Sequence, residues 1–103
     1  IFFYTVSAQL LSLISRCQAF WSRKYVLNTM KVPTKRGAFI AVGATKGETL
    51  FDGSKATVKY FFKTVGVEYT GELLIRGVDQ KGDIQKHPSA LKDAFELGRR
   101  LAV

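Results

Sequence analysis

The chain is poor in cysteine, histidine, acidic side chains and long apolar runs, and each shortage removes a class of explanation. Cys17 is the only cysteine among 103 residues, so no internal disulfide can form. His87 is the only histidine, and no thiol or imidazole pair stands at metal-ligand spacing, so no metal site is expected. Asp79 and Asp83 flank Gly82 in the manner of a calcium loop, but the spacing is wrong and the terminal Glu is missing. A chain without a disulfide framework suits a reducing compartment, and the expected location is the cytoplasm. No stretch reaches the roughly 18 uninterrupted apolar residues of a membrane span. Ile1 to Trp21 comes nearest, yet Gln9, Ser12, Ser15, Arg16 and Gln18 interrupt it and no basic region precedes it. Neither a span nor a signal peptide is read there.

Acidic residues number eight against sixteen basic ones, a formal net charge of +8. Such a balance attracts polyanions. The basic side chains are scattered in sequence, however, with only short pairs such as Arg23-Lys24, Lys35-Arg36 and Arg99-Arg100. Zinc-finger, homeodomain and RNP patterns are absent, so nucleic acid is not the expected partner. A phosphate-bearing cofactor, or a basic surface that only keeps the chain in solution, fits better.

What is present is enough apolar material for a core. Apolar residues make up 47 % and aromatics 13 % of the chain, and the length supports one domain. The central stretch is Gly37-Ala38-Phe39-Ile40-Ala41-Val42-Gly43, an unbroken apolar run between glycines that predicts a strand buried on both faces. It empties into the small, polar loop Gly43 to Gly53, and a helical pattern begins near Ser54. Open α/β sheets bind ligands at such a place, beyond the carboxyl ends of their strands.

The flanking segments extend this alternation. Ile1-Phe2-Phe3-Tyr4 reads as the end of a strand, and Thr5 or Ser7 can cap a helix with Leu10, Leu13/Ile14, Cys17 and Phe20/Trp21 at helical spacing. That helix is expected to end near Arg23, with residues 24–36 as an irregular connection. The later helix carries Ala56, Val58, Tyr60/Phe61 and Val65 inward and stops at Gly66, a suitable left-handed cap. Val67 to Ile75 then predicts an edge strand with Glu68, Thr70 and Glu72 on a wet side and a bulge at Gly71. After the loop Arg76 to Asp83, Pro88 fits the first turn of a last helix with Ala90/Leu91, Ala94/Phe95, Leu97/Gly98 and Leu101 inward. Strands alternating with helices imply a parallel α/β sheet. Two strands and a remnant would leave a bare edge, so the chain reads as the carboxyl-terminal part of a larger doubly wound domain.

Several segments together resemble a known family. Phe3-Tyr4-Thr5-Val6-Ser7-Ala8-Gln9-Leu10, Ile14-Ser15-Arg16 and above all Lys35 to Gly47 resemble the flavodoxin-like NAD(P)H-dependent FMN reductases, nearest to their multimeric, iron–sulfur-flavoprotein-like branch. Gly71-Glu72-Leu73-Leu74 and Gly77 to Ile84 are similar to the same branch. The resemblance covers nearly the whole chain and corresponds to the last three strands and helices of the five-stranded fold. It implies a single partial flavodoxin-like domain over residues 1–103, a parallel sheet with helices on both faces, lacking the amino-terminal phosphate-binding βαβ part. The family places FMN at the strand ends, which here implies flavin contacts from Phe2, Phe3, Tyr4, Thr5 and Val6 and from Ala44, Thr45, Lys46, Gly47 and Glu48, with Phe51 nearby. NAD(P)H would be the reductant. Flavin and nicotinamide carry the hydride between them, so no catalytic side chain is assigned.

The chain departs from the family in several respects. The phosphate-binding loop and the cluster-binding cysteines belong to a segment ahead of Ile1, and Leu11 and Ser15 stand where relatives commonly carry Lys and Asp. Three functions are therefore in play. The first is an FMN-dependent NAD(P)H oxidoreductase or its carboxyl-terminal part. The second is a flavodoxin-like electron-transfer domain. The third is a truncated, non-catalytic interaction module. A homo-oligomer, or a partner supplying the missing half of the sheet, is expected in each case. Among the remaining conspicuous residues, Trp21 and the run Tyr60-Phe61-Phe62 read as core or subunit packing, Cys17 as a small core residue, and His87 as a cap or surface residue.

Overall fold

The computed structural model describes Ile1, residues 3–22 and residues 35–102. Phe2, the expected helix end at Arg23 and the connection over residues 24–34 lie outside the described residues. In chain order the elements are α1 (Ala8–Arg16), α2 (Gln18–Trp21), β1 (Lys35–Val42), α3 (Asp52–Val65), β2 (Val67–Ile75), α4 (Asp83–Lys86) and α5 (Ala90–Ala102). β1 and β2 pair in parallel, joined through α3, which establishes an α/β arrangement with a two-stranded parallel sheet among the described residues. No helix among these residues is long and apolar enough to cross a membrane.

Local chemistry accounts for the helix ends. Ser7, rather than Thr5, caps α1: its hydroxyl accepts the Leu10 amide at 3.2 Å. The helix does not run on unbroken towards Arg23. It is interrupted at Cys17, whose amide turns back to the Ile14 carbonyl at 3.0 Å, and α2 restarts for a single turn. α3 begins two residues ahead of Ser54, with Asp52 suiting its positive end. It closes at Gly66, whose φ of 77° only glycine adopts without cost. Pro88 lies just ahead of α5 rather than inside it. Ser89 joins the two, its hydroxyl donating to the Asp93 carboxylate at 2.9 Å. His87 is a capping partner there, as expected, with Nδ1 accepting the Ser89 amide at 3.2 Å.

The bulge sets which side chains reach which helix. Gly37 pairs with Tyr69 and Ala38 with Gly71, so Thr70 is the extra residue, and its hydroxyl donates to the Gly37 carbonyl at 3.1 Å. Ahead of the bulge Val67 and Tyr69 face α3; beyond it the alternation shifts and Glu72 and Leu74 face that helix instead. Glu72 therefore does not share a face with Glu68, contrary to the simple alternation. It forms an ion pair with Lys55 of α3 at 3.1 Å. Gly71 turns to the opposite face, where a Cβ would come within 2.6 Å of Leu97 in α5. Helices thus cover both faces of the pair, as the α/β reading requires.

The core lies between β1, α3 and the loop that joins them: Val6, Phe39, Ala41, Leu50, Phe51 and Val58 are buried together. Several expectations fail at its margins. β1 starts at Lys35, not after Arg36, and it is buried on one face only, since Ile40 remains 58 % exposed and Val42 is also exposed. α5 reaches mainly across β2, and Ala90 and Leu97 are buried, but Leu91 and Phe95 point to solvent. α3 buries Ser54 and Val58 and half-buries Phe62, one helical face, which turns Tyr60 outward and leaves Ala56 exposed. Cys17 is half-buried, and Trp21 is exposed beside it in a crevice shared with Phe61.

Candidate functional site

Three segments meet at the carboxyl end of β1. The first is Phe3 to Val6, which forms a turn and an isolated bridge rather than the expected strand end. Phe3 and Tyr4 both have positive φ, 49° and 60°, which is incompatible with an extended strand. Backbone conformations of this kind cost free energy and are retained where surrounding contacts impose them. Ile1 nonetheless lies against the sheet edge, its backbone nitrogen donating to the Val42 carbonyl at 2.9 Å. Val6 then inserts into the core while Phe3 and Tyr4 stay exposed.

The second segment is the loop from Gly43 to Phe51. Gly43 donates to the Ile75 carbonyl at 2.9 Å and accepts the Val78 amide at 3.0 Å, tying this loop to the third segment, Arg76 to Val78. Gly43 lies close beneath Leu50: a Cβ there would stand 2.6 Å from a Leu50 methyl, which would have to shift. Ala44, Thr45, Lys46 and Glu48 project from the loop and are exposed, while Gly47 sits under Tyr4, whose hydroxyl lies 3.4 Å from where a Gly47 Cβ would be. The Tyr4 carbonyl approaches Gly53 in the same way at 3.1 Å. Tyr4 therefore spans the loop from Gly47 to Gly53.

Arg76 holds the loop from the other side. Its Nε donates to the Gly47 carbonyl at 2.9 Å and its terminal nitrogen to the Glu48 carbonyl at 3.1 Å. The guanidinium also lies 5.0 Å from the centre of the Phe51 ring, in cation–π range. Lys46 lies along Gly77, whose φ of 73° lets the backbone turn there. Lys46 and Arg76 thus place two cations at this end of the sheet. Farther along, the Asp83 carboxylate accepts the Gln80 amide at 2.9 Å and the Asp79 amide at 3.4 Å. Those two amides, with Lys86 beside them, hold its carboxyl below the ordinary range. This is a closed loop, with no group of three or more metal-ligating side chains among the described residues.

Of the residues singled out in the sequence, Tyr4 meets the run Ala44 to Glu48 at Gly47, and Phe3, Thr5, Ala44, Thr45, Lys46 and Glu48 are exposed on the same two segments. Val6 and Phe51 are not exposed there: Val6 is buried in the core, and Phe51 is 1 % exposed, packed beneath Arg76, and presents no face to a ligand. Arg76 and Gly77 were missed. They directly follow β2, so the strand-end rule that drew attention to Gly43 applies to them equally. No protein family, curated protein or solved structure matches the chain.

Proposed function

We propose that the chain is the ring-binding, carboxyl-terminal part of an FMN-dependent NAD(P)H oxidoreductase with a flavodoxin-like fold. The observation that carries this reading is the convergence of three loops at the carboxyl end of a parallel pair, with exposed Tyr4 lying over the Gly47 loop. Parallel α/β sheets bind their cofactors at such an end. Phe3 and Tyr4 offer exposed aromatic faces for the ring, and Thr45 and the exposed backbone of Ala44 to Lys46 offer polar groups for its edge. Lys46 and Arg76 make this end electropositive, which suits the negative charge that a flavin ring gains on reduction. Arg76 acts as a positioning residue, since it already spends its donors on the Gly47 and Glu48 carbonyls.

Bound flavin would supply hydride acceptance from the nicotinamide and delivery to an acceptor. The side chains named here bind and orient the ring and exclude water from one of its faces. The phosphate cradle of the fold would come from further strands on the outer side of β1. Ile40 and Val42, exposed on the α5 face of that strand, are the side chains that a further helix of such a completion would cover. Cytoplasmic location and self-association belong to the same reading.

The test is anaerobic reduction. Protein supplied with FMN and freed of excess cofactor should retain yellow colour, and NADPH or NADH should bleach it. Retained colour without bleaching would point to an electron-transfer domain instead. A protein that stays colourless after FMN addition would overturn the flavin reading.

A further inference from the structure

The fold gathers basic residues that the sequence scatters. An open groove of about 590 Å³ runs along the flank of α3 above the outer edge of β2. Lys55, Lys59 and Lys63 line it at four-residue intervals, so they lie on one helix face roughly 6 Å apart along the axis. Tyr60 stands beside them with 71 % of its surface exposed, and Tyr69 forms the floor. Lys59 lies over the Tyr69 ring at 5.2 Å, which orients its charge along the groove. Two acidic groups face the same region: Asp52 lines the amino end, and Glu72 is held by Lys55. Among the described residues that line the groove, three lysines thus stand with one carboxylate, Asp52.

We infer that this groove is a binding surface for single-stranded nucleic acid, with the lysine row following the phosphates and Tyr60 stacking on a base. Single-strand sites combine these two features: a basic track for the backbone and an exposed aromatic face that accepts any base. The lysine spacing is comparable to that of successive phosphates on an extended strand. The net charge of +8 supplies the long-range attraction. An acidic polypeptide would satisfy the lysines equally but gives no role to an exposed tyrosine ring among them. This inference does not depend on the flavin reading, since the groove lies along the flank of α3 rather than on the loops that hold Tyr4 and Arg76.

The test uses the full chain and a fluorescein-labelled oligothymidylate of about twenty nucleotides, followed by anisotropy over a range of salt. Binding should weaken with salt with a log–log slope between about −1.4 and −2, as two phosphate contacts on a single strand require, or three where the strand displaces Glu72 from Lys55. The double variant Lys59→Glu/Lys63→Glu should lose roughly tenfold or more in affinity, and Tyr60→Ala about fivefold or more. These side chains are exposed, so the variants should keep the parent melting curve. Lys92→Asp/Arg99→Asp, an equal change of charge on α5 across the sheet, should cost at most about a third of the loss in logarithmic terms. The inference is overturned if that control weakens binding as much as the groove variant, which would leave only net charge. It is equally overturned if Tyr60→Ala has no effect, if poly-glutamate competes as well as unlabelled oligothymidylate, or if no binding occurs at low salt.

Discussion

Tyr69 is the residue at which sheet, helix and charge meet. Its hydroxyl donates to Glu72 at 3.3 Å, its ring tilts against Phe62, and Lys59 lies over its other side. Burial first, and then the Glu72 charge and hydrogen bond, push its pKa up to about 12 from 10.0. The folded chain therefore prefers the neutral phenol. That preference contributes to stability in full below pH 10 and is lost as pH rises through about 12. A difference titration of tyrosinate absorbance against Tyr69→Phe should show this shift among the four tyrosines. Glu72→Gln should lower the titration part of the way, since burial remains, and an unmoved titration would contradict the contribution assigned to Glu72. Gly37 makes a second residue-scale prediction. A Cβ there would meet Val67 and come within 2.9 Å of the Phe62 ring, so Gly37→Ala should destabilise by about 1–3 kcal/mol in urea unfolding.

At the scale of elements, periodicity located the three long helices, α1, α3 and α5, and the second strand, but missed the short α4 and the break at Cys17 and could not settle the faces. Val58 and Phe62 follow the helical spacing inward, yet Tyr60 was grouped with Phe61 and instead points outward. Apolar character alone does not distinguish neighbouring positions on a helix whose partner covers only part of it. Gly71 rightly marked a bulge, but the residue inserted is Thr70, and only the register reveals that Glu72 changes face. The segment Phe3-Tyr4 reads as a strand because both residues favour one, whereas both adopt positive φ and Tyr4 packs against Gly47 and Gly53. Arg76 carries no motif of its own, and its place directly after β2 was its one signal in the sequence; the fold brings the Gly47 and Glu48 carbonyls to it. Arg76→Ala should cost about 1 kcal/mol and speed amide exchange at Leu50, whose amide bonds to Gly47, while the β1–β2 ladder exchanges as before. Equal acceleration across the sheet would show that Arg76 supports the whole fold and not the loop.

The whole molecule leaves an apolar face uncovered. Ile40 and Val42 are exposed on the α5 side of the sheet, and α5 itself exposes Leu91 and Phe95, the latter to 70 %. Exposed apolar groups beside a sheet that has only two strands among the described residues favour association. Sedimentation should therefore give a mass above the 11.5 kDa of one chain, and Ile40→Lys/Phe95→Lys should lower it. A monodisperse, cooperatively folded monomer would contradict this. A shortage of strands was legible in the sequence, and the sheet among the described residues has two. What the sequence could not convey is that β1 has only one buried face, because a run such as Phe39-Ile40-Ala41-Val42 is equally apolar on both.

The most direct test of the strand-end site is a titration of flavin fluorescence with the parent chain, Tyr4→Ala and Tyr60→Ala. Saturable quenching of FMN by the parent is predicted. Tyr4→Ala should weaken it roughly threefold to tenfold, the value of one aromatic contact, and Tyr60→Ala should leave it unchanged. Absence of quenching by the parent, or equal losses in the two variants, would contradict a flavin site formed by Tyr4 and the Gly47 loop.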